Sequence, residues 1–202
     1  MIKEIESRRS IRRYKDIPVK KELIEEILKA GMLAPSSKNR QPWHFIVTTG
    51  SAKEQVLKAM EAGLKREEKQ PFLPESAPYL DGARATLKIM KEAPVIIFIT
   101  DPLASPMDQP LAVDERVSEI CNAQSVGAAI ENMTLAATEL GLGTVWVCYF
   151  KPDVLRKEFD LPANLEPVNI LVVGYSDEGT GDPNRFNKQR IPMSQLVSYE
   201  TL

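Results

Sequence analysis

V126-G-A-A-I-E-N-M-T-L-A-A-T-E-L-G-L-G-T-V-W-V-C-Y149 is the stretch whose reading decides the fold of this chain. In its first half Val126, Ala129, Ile130, Met133, Ala136, Ala137 and Leu140 recur at helical spacing, and the positions between them are mostly small or weakly polar. The spacing predicts a long helix buried on nearly every side. Gly141 and Gly143 break it, and the β-branched and aromatic run that follows reads as an interior strand. A central helix, a tight turn and a core strand thereby deliver Trp146, Val147, Cys148 and Tyr149 to one edge of a sheet, where backbone groups can meet a flat ligand.

The 202 residues, 43% of them hydrophobic, suffice for one domain with a substantial core. A net charge of −2 gives no general attraction to polyanions, so nucleic acid is not the expected partner. Cys121 and Cys148 are too few for a disulfide framework or a metal cluster, which fits a reduced setting. The amino-terminal MIKEIESRRS lacks the apolar core of a signal peptide, and the longest apolar runs, Val95 to Ile99 and Ile170 to Val173, have strand length. The expectation is a cytoplasmic protein with no metal and no membrane contact.

Near the start, S7-R-R-S-I-R-R-Y14 places four arginines in six positions beside serines. Guanidinium forks and hydroxyls both donate to phosphate oxygens, so the segment suits an anion; a solvated basic turn pairing with Glu4 and Glu6 fits it equally. A helix over Val19 to Leu33 follows, with Leu23, Ile24, Ile27 and Leu28 on one stripe and Glu25 set to pair with Lys29. It ends in A34-P-S-S-K-N-R-Q-P-W43, a stiff loop rich in donors and acceptors. Such a loop can present hydroxyls and amides to a heterocycle, or it can be an ordinary connection before a strand at His44 to Thr48. His44 is the sole histidine, which leaves no partner for a histidine-pair metal site and points to a strand position.

R8-R-S-I-R12, P35-S-S-K-N-R-Q-P-W43 and L140-G-L-G-T-V-W146, with a basic tail, resemble the FMN-dependent nitroreductase family in order and separation over nearly the whole chain. The resemblance implies an α+β fold. Its central mixed or antiparallel sheet is surrounded by helices around a long buried central helix, and two copies intertwine as a homodimer. Residues 1–202 then form a single domain with a variable excursion at about 63–82, on which Phe72 and Tyr79 are candidate pocket walls or parts of a surface appendage.

Between these blocks an outer helix is expected at Ser51 to Ala62, then another near Ala83 to Lys91, with Pro71, Pro74 and Pro78 precluding one continuous helix. Val95 to Thr100 reads as a strand buried on both faces, and Val168 to Tyr175 as another interior strand. In the tail, Lys188 and Arg190 stand two apart, so an extended segment would point both the same way.

In the resembling family the flavin carries the chemistry and no side chain is assigned as catalytic. The resemblance implies Arg8, Ser10, Lys188 and Arg190 at the phosphate, Arg9 along the ribityl or pyrimidine region, and Arg12 at the N1 and O2 side. Pro35, Ser36, Ser37 and Asn39 would come from the neighbouring subunit. Trp146, Val147, Cys148 and Tyr149 would border the ring, with a backbone N–H near Cys148 or Tyr149 directed to N5. Tyr149 would also narrow the substrate pocket. Cys148 has no second cysteine at CxxC spacing and no evident neighbouring cation, which argues against a redox thiol.

The function so implied is hydride transfer from NADH or NADPH through FMN to a nitroaromatic, quinone or similar acceptor in ping-pong order. Dehalogenation, flavin fragmentation or ring dehydrogenation on the same fold is the alternative. A nucleic-acid-binding module built on the arginines is a third reading, and the overall charge disfavours it. A dinucleotide fingerprint fails, because Gly141-Leu142-Gly143 links helix to strand instead of strand to helix.

Overall fold

The computed structural model describes residues 1–71, 77–105, 109–148, 166–179 and 190–200. Along the chain run α1 (Lys3–Ser7), α2 (Lys21–Met32), β1 (His44–Thr48), α3 (Gly50–Lys69), α4 (Leu80–Glu92) and β2 (Val95–Asp101), then α5 (Val113–Glu139), β3 (Gly143–Val147), β4 (Glu166–Gly174) and α6 (Met193–Leu196). The strands form one sheet of order β1-β2-β4-β3 with every neighbouring pair antiparallel. This is the α+β architecture expected, with helices on both sheet faces.

The apolar run in β2 is buried at all seven positions, because alternate side chains enter opposite layers. Ile96 and Phe98 join Val56 and Ala59 of α3 and Met90 of α4. Val95, Ile97 and Ile99 join Ile24 and Ile27 of α2 and Val126, Ile130 and Met133 of α5. Three layers result, each fully buried large side chain contributing about 1.5–3 kcal/mol.

Helix α5 is 27 residues long and starts earlier than its apolar spacing suggests. The Glu115 carboxylate accepts the Ala112 N–H at 2.8 Å and so caps the first turn. From Val126 to Leu140 every residue but Glu139 is buried or half-buried, as the spacing of that stretch predicts, whereas the added amino-terminal half is more open. Val126, Ala129, Ile130, Met133 and Ala137 are buried, while Val113, Val117 and Ile120 are exposed. The sheet and α2 pack against its buried residues, and Asn132 Nδ2 ties it to α2 by donating to the Ala30 carbonyl at 3.1 Å. On α2 the expected Glu25–Lys29 pair is replaced: Lys29 holds Glu26 at 2.7 Å and Glu25 meets Lys21 at 3.5 Å.

Helix α3 continues through Gly63 to Lys69, and a 3-10 turn at Ala77–Tyr79 leads into α4. Helix therefore occupies both ends of the segment 63–82. Strand β3 lies at an edge of the described sheet, which corrects the interior placement drawn from its composition. Its hydrophobic character comes from face burial: Val145 and Val147 lie on the α3/α4 side.

The segment after α1 crosses the end of the sheet. Ser10 bridges Thr144 of β3, Tyr14 bridges Ser176 beyond β4, and Ile11 and Tyr14 are buried over the paired residues Gly143 and Gly174. The basic segment is thereby fastened to both β3 and β4.

Candidate functional site

At the end of α1 the Arg8 N–H donates to the Glu4 carbonyl at 2.9 Å, which fixes the backbone where the side chain departs. The Arg8 guanidinium reaches α5, where Nε meets Glu131 Oε1 at 3.0 Å. Among the described residues this is the ion pair of the basic run, and neither Glu4 nor Glu6 forms one with it. Arg8 and Arg9 line a cleft of about 170 Å³ with Ser7, Gly141, Gly143 and Ser176. Arg12 lies beyond it: its Nη1 donates to the Ser10 carbonyl at 3.2 Å and its backbone N–H to Glu178 Oε1 at 2.6 Å. Arg13 turns away toward the Asp177 carbonyl.

The cleft opens at the foot of β3. The Thr144 carbonyl accepts the Ile11 N–H at 2.8 Å, so it points away from β4. Backbone alternation then turns the amides of Trp146 and Cys148 outward as well, on an edge that no described strand pairs. The Trp146 indole N–H donates to Asn169 Oδ1 at 2.6 Å, and this fixes a ring that is still 39% exposed. Cys148 is exposed as a residue, yet partial burial of its thiol pushes the pKa above the ordinary thiol value. That direction disfavours a reactive thiolate.

The loop Pro35 to Asn39 sits elsewhere on α5. The Ser37 N–H donates to Ser125 Oγ at 3.2 Å, and the Ser125 hydroxyl donates to the Cys121 carbonyl at 2.7 Å. Ser36 Oγ accepts the Gln41 N–H at 3.0 Å, and Arg40 Nη1 reaches Asn122 Oδ1 at 3.4 Å. Lys38, Asn39 and Gln41 all carry positive φ, 53°, 52° and 49°, a strained backbone that these bonds hold. Asn122 also bonds the buried Asp101 carboxyl, whose pKa burial raises despite a 2.7 Å bond from the Leu103 N–H.

Six residues separate Ser125 from Glu131, roughly 9 Å along the helix and about 120° around it. Within one copy, then, the loop and the arginine cleft flank different sides of α5. Pro35 and Asn39 are exposed, Ser36 and Ser37 half-buried. Tyr79 is 67% exposed, and Arg190 is exposed ahead of α6, outside the residues that line the cleft. Phe72, Tyr149 and Lys188 lie outside the described residues.

Glu131, Asn122, Ser125 and Asn169 escaped the sequence reading. The available signal was Glu131-Asn132, two polar residues side by side in the largely apolar stretch from Val126 to Ala137.

The model of the nitroreductase family matches residues 5–175, from α1 to the end of β4. The chain belongs to the nitroreductase family. A Methanothermobacter thermautotrophicus relative named "Putative NADH dehydrogenase/NAD(P)H nitroreductase" is 30% identical over 201 residues, covering 96% of this chain and 87% of that one. The solved structure of an FMN-dependent nitroreductase from Clostridium difficile R20291 superposes with a TM-score of 0.70 at 26% identity, with complete coverage, 100% of both chains. A Rhodospirillum rubrum relative named 5,6-dimethylbenzimidazole synthase is 29% identical over 178 residues, 85% of this chain and 79% of that one. The chain is an enzyme of the nitroreductase-family oxidoreductase class. No described helix is long and apolar enough to cross a membrane, and no described group of histidine, cysteine and acidic side chains could hold a metal.

Proposed function

We propose that this nitroreductase-family chain is a cytoplasmic FMN-dependent oxidoreductase that takes hydride from NADH or NADPH and reduces a nitroaromatic, quinone or similar acceptor in ping-pong order. One observation carries the reading. Arg8 and Arg9 line a cleft at the foot of β3, and the same strand ends with the Trp146 and Cys148 amides turned outward.

Cations at one end and, at the other, amides that no described strand pairs are the donor set that a flavin mononucleotide needs for its phosphate and its ring. Thr144 to Cys148 covers roughly 13 Å of extended chain, which keeps those ends apart. Bound FMN supplies a hydride acceptor at N5. The chain's own work is binding and orientation: Arg8 and Ser10, with Lys188 and Arg190, hold the phosphate, and Arg9 lies along the ribityl or pyrimidine region. Arg12 approaches the N1 and O2 side, and the amide of Cys148 or Tyr149 fixes the ring. Phe72, Tyr79 and Tyr149 border the acceptor.

A second copy completes the site with Pro35, Ser36, Ser37 and Asn39. Two features favour this homodimer: the loop and the cleft flank different sides of α5, and Val113, Val117 and Ile120 leave an apolar stripe open on that helix.

The test is an absorbance spectrum of the purified protein, then anaerobic addition of each nicotinamide and of a nitroaromatic or quinone, with sedimentation velocity alongside. A flavin spectrum that bleaches with NAD(P)H and returns with the acceptor supports the proposal. Protein that takes up no FMN, or whose flavin is not bleached, overturns it. The Rhodospirillum relative favours a second reading, a flavin-fragmenting reaction. In that case the nitro compound fails to restore the spectrum and mass spectrometry finds a ring fragment.

A further inference from the structure

Among the described residues Glu131 is the acidic side chain that meets Arg8 at the proposed phosphate end, where a carboxylate would be expected to oppose the ligand. Its surroundings give it a different task. Oε1 accepts from Arg8 Nε at 3.0 Å, and Oε2 accepts from the Thr134 hydroxyl at 3.0 Å. That hydroxyl shares its proton with the Glu131 carbonyl at 2.8 Å, and Thr134 is only 5% exposed. Both carboxylate oxygens are therefore directed, one by the helix it stands on and one by the arginine. The helix itself is rigid here, since the neighbouring Ile130 and Met133 are fully buried.

Guanidinium geometry supplies the rest. Engagement through Nε leaves the terminal Nη nitrogens, and four N–H donors, uncommitted on a planar fork. A flexible arginine loses much rotamer freedom when it binds an anion; one already pinned has lost it beforehand. We propose that Glu131, backed by Thr134, is a positioning residue for the anion end of the flavin site: it holds Arg8 by Nε so that its terminal nitrogens face the phosphate. This rests on the FMN reading above and adds to it a residue that touches no part of the cofactor.

The experiment is fluorescence titration of the full chain with two probes, FMN and riboflavin, which differ only in the phosphate. Glu131→Ala should weaken FMN binding about tenfold, the loss of a pre-ordered long side chain, and leave riboflavin affinity unchanged. Glu131→Gln keeps an acceptor for Nε and should restore FMN affinity to within about threefold of the parent. Should Glu131→Ala fold poorly, Thr134→Val removes the backing hydroxyl at nearly constant shape and should cost FMN, but not riboflavin, about threefold.

Tighter FMN binding in both Glu131 variants would show that the carboxylate merely repels phosphate, and equal losses for both probes would show a fold effect; either overturns the inference. Parent protein that binds neither probe, or both alike, would instead overturn the reading of the site beneath it.

Discussion

Ile11 and Gly143 approach so closely that a Cβ on residue 143 would lie 2.6 Å from Ile11 Cγ1. The contact seats the basic segment on β3, because Ile11 is buried directly beside Ser10 and Arg12. Gly143→Ala must push Ile11 outward, and the arginines move with it. We expect a loss of about 1–3 kcal/mol in urea unfolding and a clear fall in FMN affinity. Gly50→Ala, at the start of α3 and outside the cleft lining, is the control: its φ of 50° strains an alanine, but no atom stands within 4 Å of the new Cβ. It should cost about 1 kcal/mol and leave FMN affinity nearly intact. Equal loss of FMN affinity in both variants would break the link between this contact and the site.

The loop before β1 stores strain that substitution can release. Lys38 at φ 53° would be relieved by glycine, so Lys38→Gly should leave stability unchanged or raise it by up to about 1 kcal/mol. Ser125→Ala removes the acceptor of the Ser37 N–H and should cost about 1 kcal/mol. Calorimetry of the two variants checks both signs. Destabilisation by Lys38→Gly would mean that the loop's conformation is held by the lysine side chain instead of being resisted by its backbone.

Much of this was readable from residues. The continuous apolar run Val95 to Ile99 can satisfy a strand buried on both faces and little else of that length, and β2 is that strand. Gly141 and Gly143 mark the turn between α5 and β3, because helix termination and close approach both favour a residue without a side chain. Other features had no local signature. Arg8 and Glu131 stand 123 positions apart, and only the folded chain makes them neighbours. Lys38, Asn39 and Gln41 adopt positive φ without a glycine among them, held there by bonds to Ser36 and α5. The helix expected over Ser51 to Ala62 runs on to Lys69, with Gly63 buried inside it, where packing outweighs its weak propensity.

Cys148 gives a pH test. Burial raises its thiol pKa, so near neutral pH its thiolate fraction lies below that of an ordinary cysteine. In a Cys121→Ser background, alkylation by iodoacetamide should be slower than for a free thiol at pH 8. The rate should go on rising beyond pH of about 8.5, where an unperturbed cysteine is half ionised. For stability the sign is the same. The unfolded thiol ionises first, so this contribution is intact below the unfolded pKa and declines as pH climbs toward the folded one. Fast labelling at neutral pH, followed by mass spectrometry of the Cys148 peptide, would contradict the protonated thiol.

Arg12 offers the sharpest test of the flavin geometry. Its backbone is tied to Glu178, while the side chain is exposed and, among the described residues, held by the Ser10 carbonyl at 3.2 Å, a single bond that a swing toward a ring would break. A cation beside the N1 and O2 edge favours the charge that collects there on reduction, and its removal should make the bound flavin harder to reduce. A partly solvated pair of this kind is worth about 0.5–1.5 kcal/mol, and for a two-electron couple that is a fall of roughly 10–30 mV. Arg12→Lys should recover part of the fall. Glu178→Gln removes a nearby negative charge and should move the potential upward. Anaerobic titration of each holoprotein against a reference dye measures all three shifts. A potential unaltered by Arg12→Ala would take Arg12 away from the ring, and the basic segment would then serve the phosphate end alone.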